Sequence, residues 1–173
     1  MTNGEILAAL WSWAKREGVD HIVYHSPIND SEVGVEGWFH PEVMPLKRPQ
    51  TWLFRSRQPQ PHDEPDRVTR PLFDAITLSH EYGHFRSWKD SARGQTPEWQ
   101  AYFAAAMVRD EDAKKVSFDQ AKLIMTEEQR AWDLGHVALS ALSFTDWSEF
   151  ERRREIGVRG HRVNMGLESE GTS

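Results

Sequence analysis

The 173-residue chain has no cysteine. That absence excludes disulfide scaffolds, thiolate zinc fingers, iron–sulfur clusters and cysteine nucleophiles, and it leaves His and carboxylate side chains to hold any metal. A basic excess is also missing: 21 Lys and Arg stand against 27 Asp and Glu, for a net charge of −6. No nucleic-acid partner is expected, because such surfaces carry clustered Lys and Arg. Long hydrophobic runs are lacking as well. No window approaches about 18 consecutive apolar residues, so no membrane span is expected. The apolar stretch from Ile6 to Ala14 follows Glu5, is broken by Ser12 and has no basic leader or small-residue cleavage site. It does not read as an export signal, and a cytoplasmic location is expected. The length suits a single domain with its own core, since domains typically run about 100–150 residues. That domain is expected over residues 1–165, followed by a small, polar, disordered tail over 166–173.

What is present divides the chain into a strand-bearing front and a helical back. Ile6, Leu7, Leu10, Trp11 and Ala14 recur at helical spacing and predict a helix from Asn3 to Glu17, capped by Thr2 or Asn3 and stopped by Gly18. Strands are predicted over His21–His25, 35–39 and 51–57, with Pro27, Pro41, Pro45 and Pro49 keeping helices out. They predict a small antiparallel or mixed sheet. Residues 58–70, with Pro59, Pro61 and Pro65, read as a surface loop. Helices are predicted from Pro71 to about Lys89, from Pro97 to about Asp110, from about 118 to 143 as one long or two abutting helices, and from Asp146 to about Gly157. Ser117 with Gln120, and Thr126 with Gln129, fit the capping-box pattern. The expected class is therefore α+β, a small sheet packed on a helical half.

The chemistry-bearing segment is His80-Glu81-Tyr82-Gly83-His84, in the middle of a predicted helix. Histidines at i and i+4 lie one above the other on a helix face, so both imidazoles can reach one ion. Glu81, beside the first of them, can take a proton from a water that zinc has acidified toward a pKa of about 7. The flanking Leu72, Phe73, Ile76, Phe85 and Trp88 mark the helix as central, where imidazoles without partners would be costly.

A catalytic zinc needs a third protein ligand and an open position. The metzincin pattern is absent, because Ser87 and Asp90 stand where its Gly and third His would be. A carboxylate from a later helix can fill that role instead. Glu128 lies 44 residues beyond His84, and Ala131 one turn on, together with Gly83 in the motif, would let two helices approach closely. Glu128 is preferred to Glu127, which suits a helix first turn; Asp133 and His136 are less favoured candidates for the same ligand position. For the donor that must stabilise the developing oxyanion, the candidates are His136, Tyr82 and the segment Arg159-Gly160-His161-Arg162. Asp133 could instead orient a ligating imidazole. The strand at Thr51 to Arg57 could receive an extended peptide by strand addition. The charged run Glu151 to Glu155 reads as a solvated helix face.

The run LSHEYGHF followed by a helical EQRAW resembles the minimal gluzincin metallopeptidases, including the ImmA/IrrE type. Those carry an HExxH helix, a later ligand Glu on an ExxA-like helix, and a small sheet before the active-site helix. The resemblance covers roughly residues 1–145. It implies a zincin-like fold, one Zn2+ per chain held by His80, His84 and Glu128, Glu81 as general base, and a peptide or protein as substrate. The 44-residue gap is long for the compact members, and no helix-turn-helix segment accompanies the motif.

Three functional readings follow. The first is a zinc peptidase. The second is a catalytically silent relative that keeps zinc and binds a peptide or protein partner; Glu81 argues against it, because an inert site has no need of a base. The third is a di-iron carboxylate bundle, since Glu81-x-x-His84 and Asp133-x-x-His136 approximate a repeated Glu-x-x-His. The proline-punctuated first 70 residues supply too few long helices for that.

Overall fold

A computed structural model describes residues 1–19, 21–25, 37–43, 48–54 and 70–168. The loop expected over 58–70 lies outside these residues apart from its last position, which begins a helix; the end of the expected tail, 169–173, also lies outside. The first helix, α1 (Asn3–Glu17), starts and stops on local chemistry. The Thr2 hydroxyl accepts from the Glu5 amide at 3.3 Å while the Glu5 carboxylate accepts from the Thr2 amide at 2.7 Å. Gly18 ends the helix at φ 113°, in the left-handed region that glycine enters without strain. Ile6, Leu10 and Ala14 form its buried stripe.

Three short strands follow: β1 (His21–His25), β2 (Gly37–Val43) and β3 (Arg48–Phe54). Their order is β1-β3-β2, with β1 parallel and β2 antiparallel to β3, so the sheet is mixed. β3 is paired on both sides. It therefore has no free edge for an added strand, which corrects the expectation that Thr51 to Arg57 receives a peptide; residues 55–57 lie outside those described. The register of β2 shifts between His40 and Val43, around Pro41, as expected of a residue that cannot donate to a ladder.

Four helices complete the chain: α2 (Arg70–Asp90), α3 (Pro97–Glu111), α4 (Phe118–Ser140) and α5 (Trp147–Asn164). A single 3-10 turn, Ala113–Lys115, lies between α3 and α4. The expected α+β, zincin-like class, with a sheet as one half of the body, is overturned by the balance of elements, which is predominantly helical among the described residues. The strands are five or seven residues long, too short to form a layer comparable with helices of 15 to 23 residues. The fold is predominantly helical, with a small mixed sheet against α2. The sequence misleads here because β-forming runs between prolines signal that strands exist, not how much of the fold they make up.

α2 is buried nearly all round, between α1, α4 and the sheet. Phe39 of β2 packs edge-on against Phe85, with ring centroids 6.2 Å apart. At the end of α1, the Glu17 carboxylate receives Trp13 Nε1 at 2.9 Å and Lys89 Nζ at 3.1 Å, and faces Arg86 Nη1 at 3.5 Å, fixing α1 to α2. α4 is opened by the Ser117–Gln120 capping box and runs unbroken. Thr126 does not cap a second helix; its hydroxyl donates back to the Lys122 carbonyl at 2.8 Å. The buried stripe of α4 passes through Ala121, Ile124, Glu128, Ala131, Gly135 and Ala138, alternating steps of three and four along one face.

Candidate metal centre

The site forms where that stripe meets α2. Two glycines, one on each helix, let the backbones touch. A methyl group on Gly83 would run into the Ala131 carbonyl, and one on Gly135 would stand 2.7 Å from the Ser79 carbonyl oxygen. Only residues without a Cβ allow this approach. The approach carries Glu128 to the motif: its Oε2 is 3.4 Å from His80 Nε2 and 3.5 Å from His84 Nε2. The two imidazole rings lie 4.7 Å apart. One donor atom from each of His80, His84 and Glu128 can be chosen so that all lie within 4.8 Å of one another.

These separations are long for hydrogen bonds. They match instead the edge, about 3.3–3.4 Å, of a tetrahedron whose centre lies about 2.0–2.1 Å from nitrogen and oxygen ligands. Glu128 Oε2 is buried and makes no hydrogen bond, an arrangement that is costly unless a cation satisfies it. The donor set of two imidazoles and one carboxylate fits a divalent ion with zinc-like preferences.

The surroundings tie each donor down. Glu128 Oε1 accepts from Arg109 Nη1 of α3 at 3.3 Å, so only Oε2 is turned toward the imidazoles. Glu127 lies behind His84: its Oε1 is 3.6 Å from His84 Nδ1, and its Oε2 accepts from Ser87 Oγ at 2.9 Å. The neighbouring carboxylates thus take separate places, Glu128 among the donors and Glu127 behind one of them. The His80 ring stacks on Trp132, 4.3 Å away at 25°. Glu81 is buried, and its charge acts on both His84 and Tyr102 of α3.

The electrostatics are those of groups withdrawn from water. Burial lowers His80 to about 4, outweighing its contact with Glu128. For His84 burial acts in the same direction, but the charge of Glu128 and the contacts with Glu127 and Glu128 prevail and raise it to about 10. Burial would raise Glu128, yet His161, His84 and His80 hold it well below the usual carboxylate range. Burial, then the charge of Glu128, pushes the Tyr102 phenol well above its ordinary value.

Three sequence candidates lie away from this cluster. Tyr82 turns to the α1 side, where its ring is 5.8 Å from Trp13 and its hydroxyl is 3.4 Å from Arg86 Nη1; burial raises it to about 12. His136 packs on Trp147 at 4.3 Å, with Nδ1 3.4 Å from Ser140 Oγ. Asp133 is exposed and pairs with Arg154 of α5. Neither Asp133 nor His136 belongs to the cluster, which removes the second half-site of a di-iron centre. Of the C-terminal segment, His161 does reach the site: its Nε2 is 3.4 Å from Glu128 Oε2.

Arg109, Tyr102, Ser87 and the supporting position of Glu127 escape the sequence reading. For the first three, no motif or spacing marks the role. For Glu127 the available signal was two adjacent carboxylates on an apolar helix stripe, both needing partners. The chain matches no family model, no curated protein and no solved structure with which it was compared.

Proposed function

We propose that the chain is a zinc-dependent peptidase of the HExxH type, holding one ion with His80, His84 and Glu128. The observation that carries this reading is the convergence of the His80 and His84 imidazoles on a buried Glu128 oxygen without a hydrogen bond, with Glu81 buried beside the first histidine. When bound, zinc supplies Lewis acidity that polarises a peptide carbonyl and acidifies a water. Glu81 accepts the proton of the attacking water and returns it to the leaving nitrogen. Arg109 keeps one oxygen of Glu128 occupied, so that the other is presented to the ion. Glu127, braced by Ser87, faces the far nitrogen of His84 and fixes its ring. The motif supports likeness to the minimal gluzincins of the ImmA/IrrE type.

The test is metal analysis of the purified protein together with peptide-library digestion. About one zinc per chain is expected. Glu81→Gln should retain the zinc and lose hydrolysis by about 100-fold or more. Undiminished turnover in that variant overturns the mechanism, and two irons per chain overturn the metal assignment. A zinc-loaded chain that cuts no peptide favours the silent reading, a zinc-holding protein that binds a peptide or protein partner.

A further inference from the structure

The peptidase reading leaves one imidazole at the centre without a role. His161 sits in the last turn of α5, and its Nε2 stands 3.4 Å from Glu128 Oε2. That is the separation at which His80 and His84 approach the same oxygen, 3.4 and 3.5 Å. Three imidazole nitrogens thus stand 3.4–3.5 Å from one buried carboxylate oxygen that forms no hydrogen bond, close to the separation of about 3.3–3.4 Å between neighbouring ligands of a tetrahedral zinc. His161 differs from the other two in its freedom. Its side chain is 30% exposed, against 12% for His80 and 8% for His84, and it stands outside the tight group of three. Gly157 and Gly160 both lie inside α5, and a side chain at Gly160 would meet nothing within 4 Å. Each such glycine costs a helix about 0.5–1 kcal/mol relative to alanine.

We propose that His161 is a displaceable fourth metal ligand. With an ion bound, the last turn of α5 would bring its Nε2 into the position that substrate would otherwise take, closing the site with three histidines and one glutamate. Release of the last turn of α5 opens that site. The inference rests on the metal-site reading above and adds its regulation: the C-terminal helix sets whether the ion is accessible.

The test uses the full chain loaded with cobalt(II), read by visible absorption and X-ray absorption, alongside zinc affinity from chelator competition. Wild type, His161→Ala and His161→Gln are compared, with His84→Ala as the control that removes a ligand in either case. Thermal melts in chelator check that the variants fold, which the partial exposure of His161 favours. Both His161 variants should lose one nitrogen from the metal shell, change the cobalt bands as solvent enters, and bind zinc at least about 10-fold more weakly. Unchanged bands and unchanged affinity in folded His161 variants overturn the proposal while the three-ligand site stands. A wild-type chain that binds neither cobalt nor zinc overturns both. A changed metal shell in a protein that cuts no peptide supports the fourth ligand and counts against the peptidase alone.

Discussion

His84 is the residue on which most of the local forces meet. In the metal-free chain it stays protonated up to about 10 because Glu128 and Glu127 face it, even though burial pulls the other way. A histidine whose folded value is raised above its ordinary 6.5 adds stability that is fully present below pH 6.5 and is lost as pH rises toward about 10. Metal binding needs the neutral imidazole, so loading the site between pH 7 and 8 should release about one proton from this residue. Calorimetric titration of zinc in buffers of different ionisation enthalpy measures that number directly. A heat independent of buffer would show that the proton had already gone. Apparent zinc affinity should accordingly rise with pH across this window.

At the scale of the elements, the pairing of α2 with α4 decides whether a site exists. Gly83→Ala drives a methyl group into the Ala131 carbonyl, and overpacking of this kind typically costs about 1–3 kcal/mol. We expect a loss near the top of that range, with zinc affinity falling in parallel because the helices must part for Glu128 to withdraw. Denaturant unfolding and chelator competition check the two effects. A variant with lost stability but unchanged affinity would mean that the donors follow one another without the backbone contact. Which parts of this arrangement could be read beforehand follows from the range of the interactions. The ends of α1 were legible because Thr2, Glu5 and Gly18 act over three or four residues. The end of α5 was not: Gly157 signals a stop, yet the helix continues to Asn164. A methyl group there would come within 3.3 Å of the Trp132 ring, so this glycine serves packing against a distant helix. His161 was a candidate only as part of the segment Arg159–Arg162, and it is the continued helix that carries it to Glu128. Spacing could suggest Glu128, because a third ligand had to come from somewhere; the partners that hold it, Arg109 above all, follow no spacing.

For the whole molecule, the metal should act as a fold-wide clamp. The donors come from α2 and α4, Arg109 comes from α3, and His161 from α5, so a bound ion would be tied directly or through one contact to four of the five described helices. Zinc at 100 times its dissociation constant should stabilise the folded chain by about 2.7 kcal/mol. For a chain of this size that corresponds to a rise in melting temperature of about 5–10 °C. A chelator should reverse the rise, and Glu128→Ala should abolish it; calorimetric melts with and without zinc decide. An unchanged melting temperature in the presence of saturating zinc would place the ion elsewhere than at a site the folded state prefers. Among the described residues no helix is long and apolar enough to cross a membrane.

The stacking of Trp132 on His80 gives the centre an optical consequence. An indole ring whose centroid lies 4.3 Å from that of a ligating imidazole shares its immediate surroundings with whatever ion that imidazole holds. An open-shell ion such as cobalt(II) or copper(II) would quench the emission of this tryptophan, whereas closed-shell zinc would not. The chain would therefore carry a built-in fluorophore that reports the electronic character of any metal bound there, and Trp132→Phe would identify which part of the signal comes from the site.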